Sequence, residues 1–240
     1  MGIISVVALS TGCSRVVTSP TDRVWLVGDS TVAPGSGWGD ALANVLDPSA
    51  VAVENRARGG RSSKSFYEEE GSYWGDDDQA VLNHLAPNDF VLIQFGHNEA
   101  KPDLERQTEP GRGPDYDSTF RYYLESYVDE TRDHGATPVL ITPLSRMNFD
   151  AEGNHLRDHG AYPAAILRTA ELNDVVVLDL EELSHLEFDA IGEAKTLELY
   201  AAGASDPTDR THLAADKAWR VAAMVAELIA GSPLPLADLD

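Results

Sequence analysis

The segment WLVGDSTV, Trp25 to Val32, begins as an apolar run and closes on Gly28, Asp29 and Ser30. Far downstream, DPTDRTHLAAD sets Asp209 three residues before His212. Between them lie ENRARGGRSSKS, where Gly59 and Gly60 are adjacent, and DFVLIQFGHNEA, where Asn98 follows an apolar run. Acyl transfer uses a hydroxyl nucleophile, an imidazole that takes its proton, and a carboxylate that holds the imidazole in one tautomer. It also uses donors aimed at the developing oxyanion. Ser30, His212 and Asp209 can fill the first three roles, since a spacing of three lets Asp209 bond one ring nitrogen while the other reaches Ser30. Gly60 can offer a bare backbone N–H and Asn98 a side-chain amide. Each residue also has an ordinary reading. Ser30 can cap a helix, the double glycine can make a tight turn, and Asn98 can be a turn residue. Asp209 can cap the last helix, with His212 in its first turn. Their joint occurrence, each at a strand end or in a loop, is what favours the chemistry.

Residues so far apart act together only if the fold gathers them. Short apolar runs at Val24–Val27, Val51–Val53, Phe90–Phe95, Pro138–Thr142 and Val175–Leu178 read as strands. Helical stretches are expected around Trp38–Val45, Asp77–His84, Ser118–Arg132 and Tyr162–Leu172, with a last helix from about Ala214 to Ile229. This alternation predicts an α/β chain, a parallel central sheet covered by helices on both faces. The residues that follow the strands then converge on one sheet edge, where open α/β sheets build their sites. Lys101–Ser118, rich in Pro, Gly and charge, reads as a long surface loop at that edge. The chain from residue 23 to 240 reads as one domain.

Asp and Glu number 40 against 18 Lys and Arg, a net charge of -22. So acidic a surface excludes nucleic acid as a partner, because phosphate binding needs basic patches. It fits adaptation to concentrated salt, a halophilic source, where screening relieves self-repulsion. No stretch has the roughly 18 uninterrupted apolar residues of a membrane span. The single cysteine, Cys13, rules out an intramolecular disulfide or a cysteine metal cluster. It sits in MGIISVVALSTGCSRVVTSP, which reads either as a cropped secretory signal ending near a lipid-attachment cysteine or as a disordered lead, residues 1–22 in all. The first reading makes the protein secreted or lipid-anchored, the second cytoplasmic.

Block for block, the chain resembles the SGNH (GDSL-like) hydrolase superfamily, from Val24 to about Ile229. The wording GDSTV followed by GWGD, then GGRSSKSF, FGHNEAKPD and TPVLITPLSR, is similar to the rhamnogalacturonan acetylesterase family. The resemblance implies a flavodoxin-like three-layer α/β/α sandwich and removal of O-acetyl groups from acetylated pectic polysaccharide, with no cofactor. It implies Ser30 as nucleophile, Asp209 as orienting acid and His212 as base. The backbone N–H groups of Ser30 and Gly60, with the Asn98 side chain, would form the oxyanion hole. One departure stands out: the family's third block usually reads GHND, and here Glu99 replaces the Asp.

Other residues carry weaker signals. His155 and His159, four apart, could share a helix face as zinc ligands do, but no Glu follows the first His as in H-E-x-x-H. His97 can simply shape its turn. Arg56, Arg58, Arg61 and Lys64 either balance Glu68, Glu69 and Glu70 or, Arg61 first, meet uronate carboxylates of a pectic substrate. Acetylated xylan, another glycan or a short-chain acyl ester remains a rival substrate. A silent sugar-binding module on the same fold is a rival of another class, disfavoured by the complete set of Ser30, Asp209, His212 and Asn98.

Overall fold

The computed structural model describes residues 22–35, 37–69, 73–75, 78–110 and 118–238. Residues 1–21 of the expected leader, with Cys13, and Glu70 of the acidic run lie outside the described residues, while Asp22, placed in the leader, opens the first strand. Five strands form one sheet: β1 Asp22–Gly28, β2 Val51–Asn55, β3 Phe90–Gln94, β4 Thr137–Ile141 and β5 Val176–Leu178. Their order is β2-β1-β3-β4-β5, and every pairing is parallel. Successive side chains of a strand face opposite sides, so a sheet buried on both faces needs continuous apolar strands. In β1, Val24 and Leu26 enter one core while Trp25 and Val27 enter the other.

Helices supply the two outer layers. On the Val24 side pack α1 (Gly39–Val45), α5 (Leu180–Ile191) and α7 (Ala218–Ala230), through Leu42, Phe188, Val221 and Val225. On the Trp25 side pack α2 (Ser63–Glu68), α3 (Thr119–Asp133) and α4 (Tyr162–Asn173), through Phe66, Leu124, Tyr127 and Ile166. A short α6 spans Glu193–Leu197. The result is the expected three-layer α/β/α sandwich.

Several expectations need correcting. The helix expected at Asp77–His84 is, among the described residues, a single 3-10 turn at Leu82–His84. The Val81 and Leu82 N–H groups bond Tyr73 and Trp74 carbonyls instead of the preceding helical turn, which anchors buried Val81 in the core. The last helix starts at Ala218, because Leu213 bridges Tyr200 and the Ala214 N–H bonds the Leu199 carbonyl. Two longer helices were not foreseen, and both have caps. Ser62 and Ser65 form a reciprocal capping box on α2, and Asp179 accepts the Glu182 N–H at the start of α5.

Candidate active site

Three strands of the sheet deliver chemistry to its carboxyl edge. β1 ends at Gly28, and the chain turns at once: Asp29 O accepts the Val32 and Ala33 N–H groups. Ser30 is presented at this turn. The loop before α7 brings in the other two members. His212 Nε2 lies 2.8 Å from Ser30 Oγ, and His212 Nδ1 lies 2.7 Å from Asp209 Oδ2. The second Asp209 oxygen accepts the backbone N–H groups of Thr211 and His212, each at 3.0 Å. Burial works against the Asp209 charge, but these donors and the ring outweigh it and hold the carboxyl below its usual range. An ionised Asp209 accepts from Nδ1–H, which leaves Nε2 as the acceptor facing the serine hydroxyl. That is the tautomer a general base requires.

The turn itself rests on a buried polar network that the sequence did not announce. Asp29, fully buried, accepts the N–H and hydroxyl of Thr31 through Oδ1 and the His97 ring through Oδ2 at 3.1 Å. Gln94 Nε2 donates to Thr31 Oγ1, and Trp38 Nε1 donates to Gln94 Oε1. His97 reaches Leu144 O through Nε2 at 3.0 Å. The two ring nitrogens thus face a carboxylate on one side and a backbone carbonyl on the other. Burial pushes the Asp29 carboxyl up, yet the His97 charge and the Thr31 donors hold it below its ordinary value. His97 therefore does more than shape a turn: it ties the residue before Ser30 to the loop after β4.

The expected oxyanion donors come from the segments that follow β2 and β3. A Cβ on Gly59 would come 3.8 Å from Ser30 Cβ, so the double glycine runs against the nucleophile. Gly60 has φ +75°, a conformation that favours glycine, with open space where a side chain would stand. Asn98 Nδ2 donates one hydrogen to Arg61 O at 2.9 Å, which orients the amide. Glu99, in place of the expected Asp, is fully buried and accepts the N–H groups of Ser63 and Asn98. The Asn98 donor thus keeps its support despite the departure from GHND.

Arg61 Nη2 bonds Glu69 Oε1 at 2.9 Å, and its guanidinium lies over the Tyr73 ring. The balancing role considered for the basic cluster is present here. Arg61 and Gly60 also line a cavity of about 570 Å³ with Glu68, Glu69, Asp103, Glu105 and Arg106. Arg58 stacks on Tyr73, and Lys64 donates to Leu104 O. His155 and His159, weighed and disfavoured as metal ligands, both lie in the irregular chain before α4 and share no helix face. His155 is held between His185 Nδ1 and Arg146 O, and its ring packs on Phe188. His159 stands edge-on to His97. Burial, aided by the His97 charge, holds its ring well below the usual range, so it stays neutral.

A serine, an imidazole and a carboxylate in hydrogen-bond sequence, flanked by convergent donors and a polar cavity, can carry out acyl transfer to water. Comparison with known proteins agrees. The chain is 36% identical over 231 residues to rhamnogalacturonan acetylesterase RhgT of Bacillus subtilis, covering 90% of this chain and 93% of that one. Among solved structures, YxiM of Bacillus subtilis superposes with a TM-score of 0.71 at 27% identity, over 88% of this chain and 56% of that one. The acetylxylan esterase Axe2 of Geobacillus stearothermophilus shares the fold, with a TM-score of 0.58 at 19% identity over 88% of this chain and 95% of that one. The profile of the GDSL-like Lipase/Acylhydrolase family matches residues 26–215, and the chain belongs to that family.

Proposed function

We propose that the protein is a serine esterase that removes O-acetyl groups from carbohydrate, acetylated rhamnogalacturonan first, through an acetyl-enzyme on Ser30. The observation that carries this reading is the continuous chain from Asp209 through His212 to Ser30 Oγ, at 2.7 and 2.8 Å. The likeness to RhgT supports the choice of substrate. His212 takes the serine proton as Ser30 Oγ attacks the acetyl carbonyl. The negative charge that develops on the carbonyl oxygen meets the N–H groups of Ser30 and Gly60 and the Asn98 amide. The tetrahedral intermediate collapses as His212 protonates the departing sugar oxygen. Water, deprotonated by His212, then attacks the acetyl-enzyme, the bond from Ser30 Oγ to the acetyl carbon breaks, and His212 returns the proton to Oγ as acetate leaves.

The cavity beside Gly60 supports a hydroxyl-rich leaving group, since charged and polar side chains line it. The net charge of -22 supports a protein that works in concentrated salt. Acetate release from acetylated rhamnogalacturonan, acetylated xylan and p-nitrophenyl acetate, measured in molar salt for wild type and Ser30→Ala, tests the whole reading. Release fastest on the pectic polymer and abolished in the variant is the expected result. Serine-dependent turnover of the aryl ester alone would keep the site and discard the polymer, while activity surviving in Ser30→Ala would discard the site.

A further inference from the structure

The loop after β3 buries a carboxylate that the reaction as written does not use. Glu99 Oε1 accepts the Ser63 N–H at 2.8 Å, and Oε2 accepts the Asn98 N–H at 3.0 Å. The two donors belong to different segments. Asn98 carries the oxyanion amide, whereas Ser63 opens α2 three residues after Gly60. Asn98 Nδ2 to Arg61 O, 2.9 Å, joins the same segments a second time. The spacing between the Gly60 and Asn98 donors therefore depends on two links, one of them charge-assisted. From the other side Tyr127 donates to Ser63 O at 2.7 Å, so Ser63 is held at both its N–H and its carbonyl.

We infer that Glu99, in its ionised form, is a positioning residue that fixes the Gly60 N–H and the Asn98 amide at their working separation. The inference rests on the oxyanion hole of the proposed function. An ionised carboxylate only accepts, so it takes both N–H groups. Protonation puts a hydrogen on one oxygen, which then faces a donor, and one link weakens. The groups around Glu99 are Asp29 at the end of β1, Tyr127 on α3, Tyr162 on α4 and His97 on the same loop. Tyr127 and Tyr162 are themselves raised, burial first, and stay neutral in the working range. Burial, then repulsion from Asp29, pushes the Glu99 carboxyl up to about 7 in spite of its N–H bonds. Its charge therefore changes where the enzyme works, and the hole should loosen as pH falls.

Glu99→Gln keeps the shape and mimics the neutral acid, with an amide group opposite one N–H donor. On p-nitrophenyl acetate, wild type should exceed the variant in kcat about tenfold near pH 8 and by less than about twofold near pH 5, with KM unchanged. A ratio independent of pH, or a ratio within about twofold near pH 8, overturns the inference. Ser30→Ala in the same assay separates the two readings: if it is inactive while the ratio is flat, only the role of Glu99 fails. A second measurement needs no variant. In wild type the backbone amide resonances of Ser63 and Asn98 should titrate together with a midpoint near 7, the value expected for Glu99. Amides that do not shift across that range overturn the inference as surely as the kinetics.

Discussion

Asn98 donates an amide hydrogen to the Arg61 carbonyl, and in the proposed mechanism the same amide serves the oxyanion. Truncation to alanine removes that donor, which in comparable sites costs about 3 kcal/mol, or roughly a hundredfold or more in kcat. It also leaves the Arg61 carbonyl short of a partner, worth about 1 kcal/mol of stability. Asn98→Ala should therefore lose about two orders of magnitude in kcat on p-nitrophenyl acetate with KM little changed and the protein still folded. Near-normal turnover would remove Asn98 from the site. Ser30, Asp209 and His212, which the structure brings into one hydrogen-bond chain, could be singled out in the sequence with Gly60 and Asn98 because few residue types can do this chemistry and each sat at a strand end or loop. Asp29, His97 and Glu99 were harder to read. A buried polar residue acquires its role from partners far along the chain, here His97 across 68 residues to Asp29, and no local pattern records that separation. Arg61 shows another limit: singled out in the sequence as a contact for uronate carboxylates, it has its guanidinium engaged by Glu69.

Strands and long helices were legible because their apolar periodicity is a local property that burial then enforces. The five strands fall within a residue or two of the expected runs, and α3 and α4 likewise. The helix expected at Asp77–His84 failed where loop carbonyls outcompeted a short helical repeat, and α5 went unread although the spacing of Asp179 and Glu182 is itself a capping signal. What sequence periodicity does not convey is how closely elements approach. Gly28, the last residue of β1, lies so near β3 that a Cβ would sit 2.6 Å from Gln94 O and 2.8 Å from Val32 Cγ2. The first neighbour is strand backbone and the second belongs to the turn that presents Ser30, so neither yields cheaply. Gly28→Ala should cost about 1–3 kcal/mol, lowering the thermal midpoint by about 2–4 °C per kcal/mol. It should also depress kcat, because the displaced turn carries the nucleophile. Gly153→Ala is the control: its φ is +87° but nothing lies within 4 Å of the added methyl. It should lose about 1 kcal/mol or so to backbone strain and keep its kcat. Equal activity losses in the two variants would contradict a specific role for the β1–β3 approach.

At the scale of the whole molecule, even if every basic residue were paired, the 18 Lys and Arg would leave 22 of the 40 carboxylates unmatched. Among the described residues arginine is the cation in most salt bridges, and Arg157 serves both Glu181 and Glu182. The uncompensated charge repels itself and any polyanion that approaches. Screening shortens its reach from about 10 Å at 0.1 M salt to about 3 Å at 1 M. Two consequences follow, and they separate stability from recognition. The thermal midpoint should rise with added KCl over this range, and a flat response would argue that the surface charge is well dispersed and not salt-adapted. Recognition depends on the substrate's own charge. The rhamnogalacturonan backbone proposed as substrate bears uronate carboxylates and would enter against the field of the protein. Its KM should fall as salt rises. KM for p-nitrophenyl acetate, which is uncharged, should stay constant, and so should KM for a neutral acetylated xylan. A salt-insensitive KM on the pectic polymer would mean that the basic cluster beside Gly60 already cancels the long-range repulsion, so that the local field at the cleft, and not the total charge, governs substrate entry.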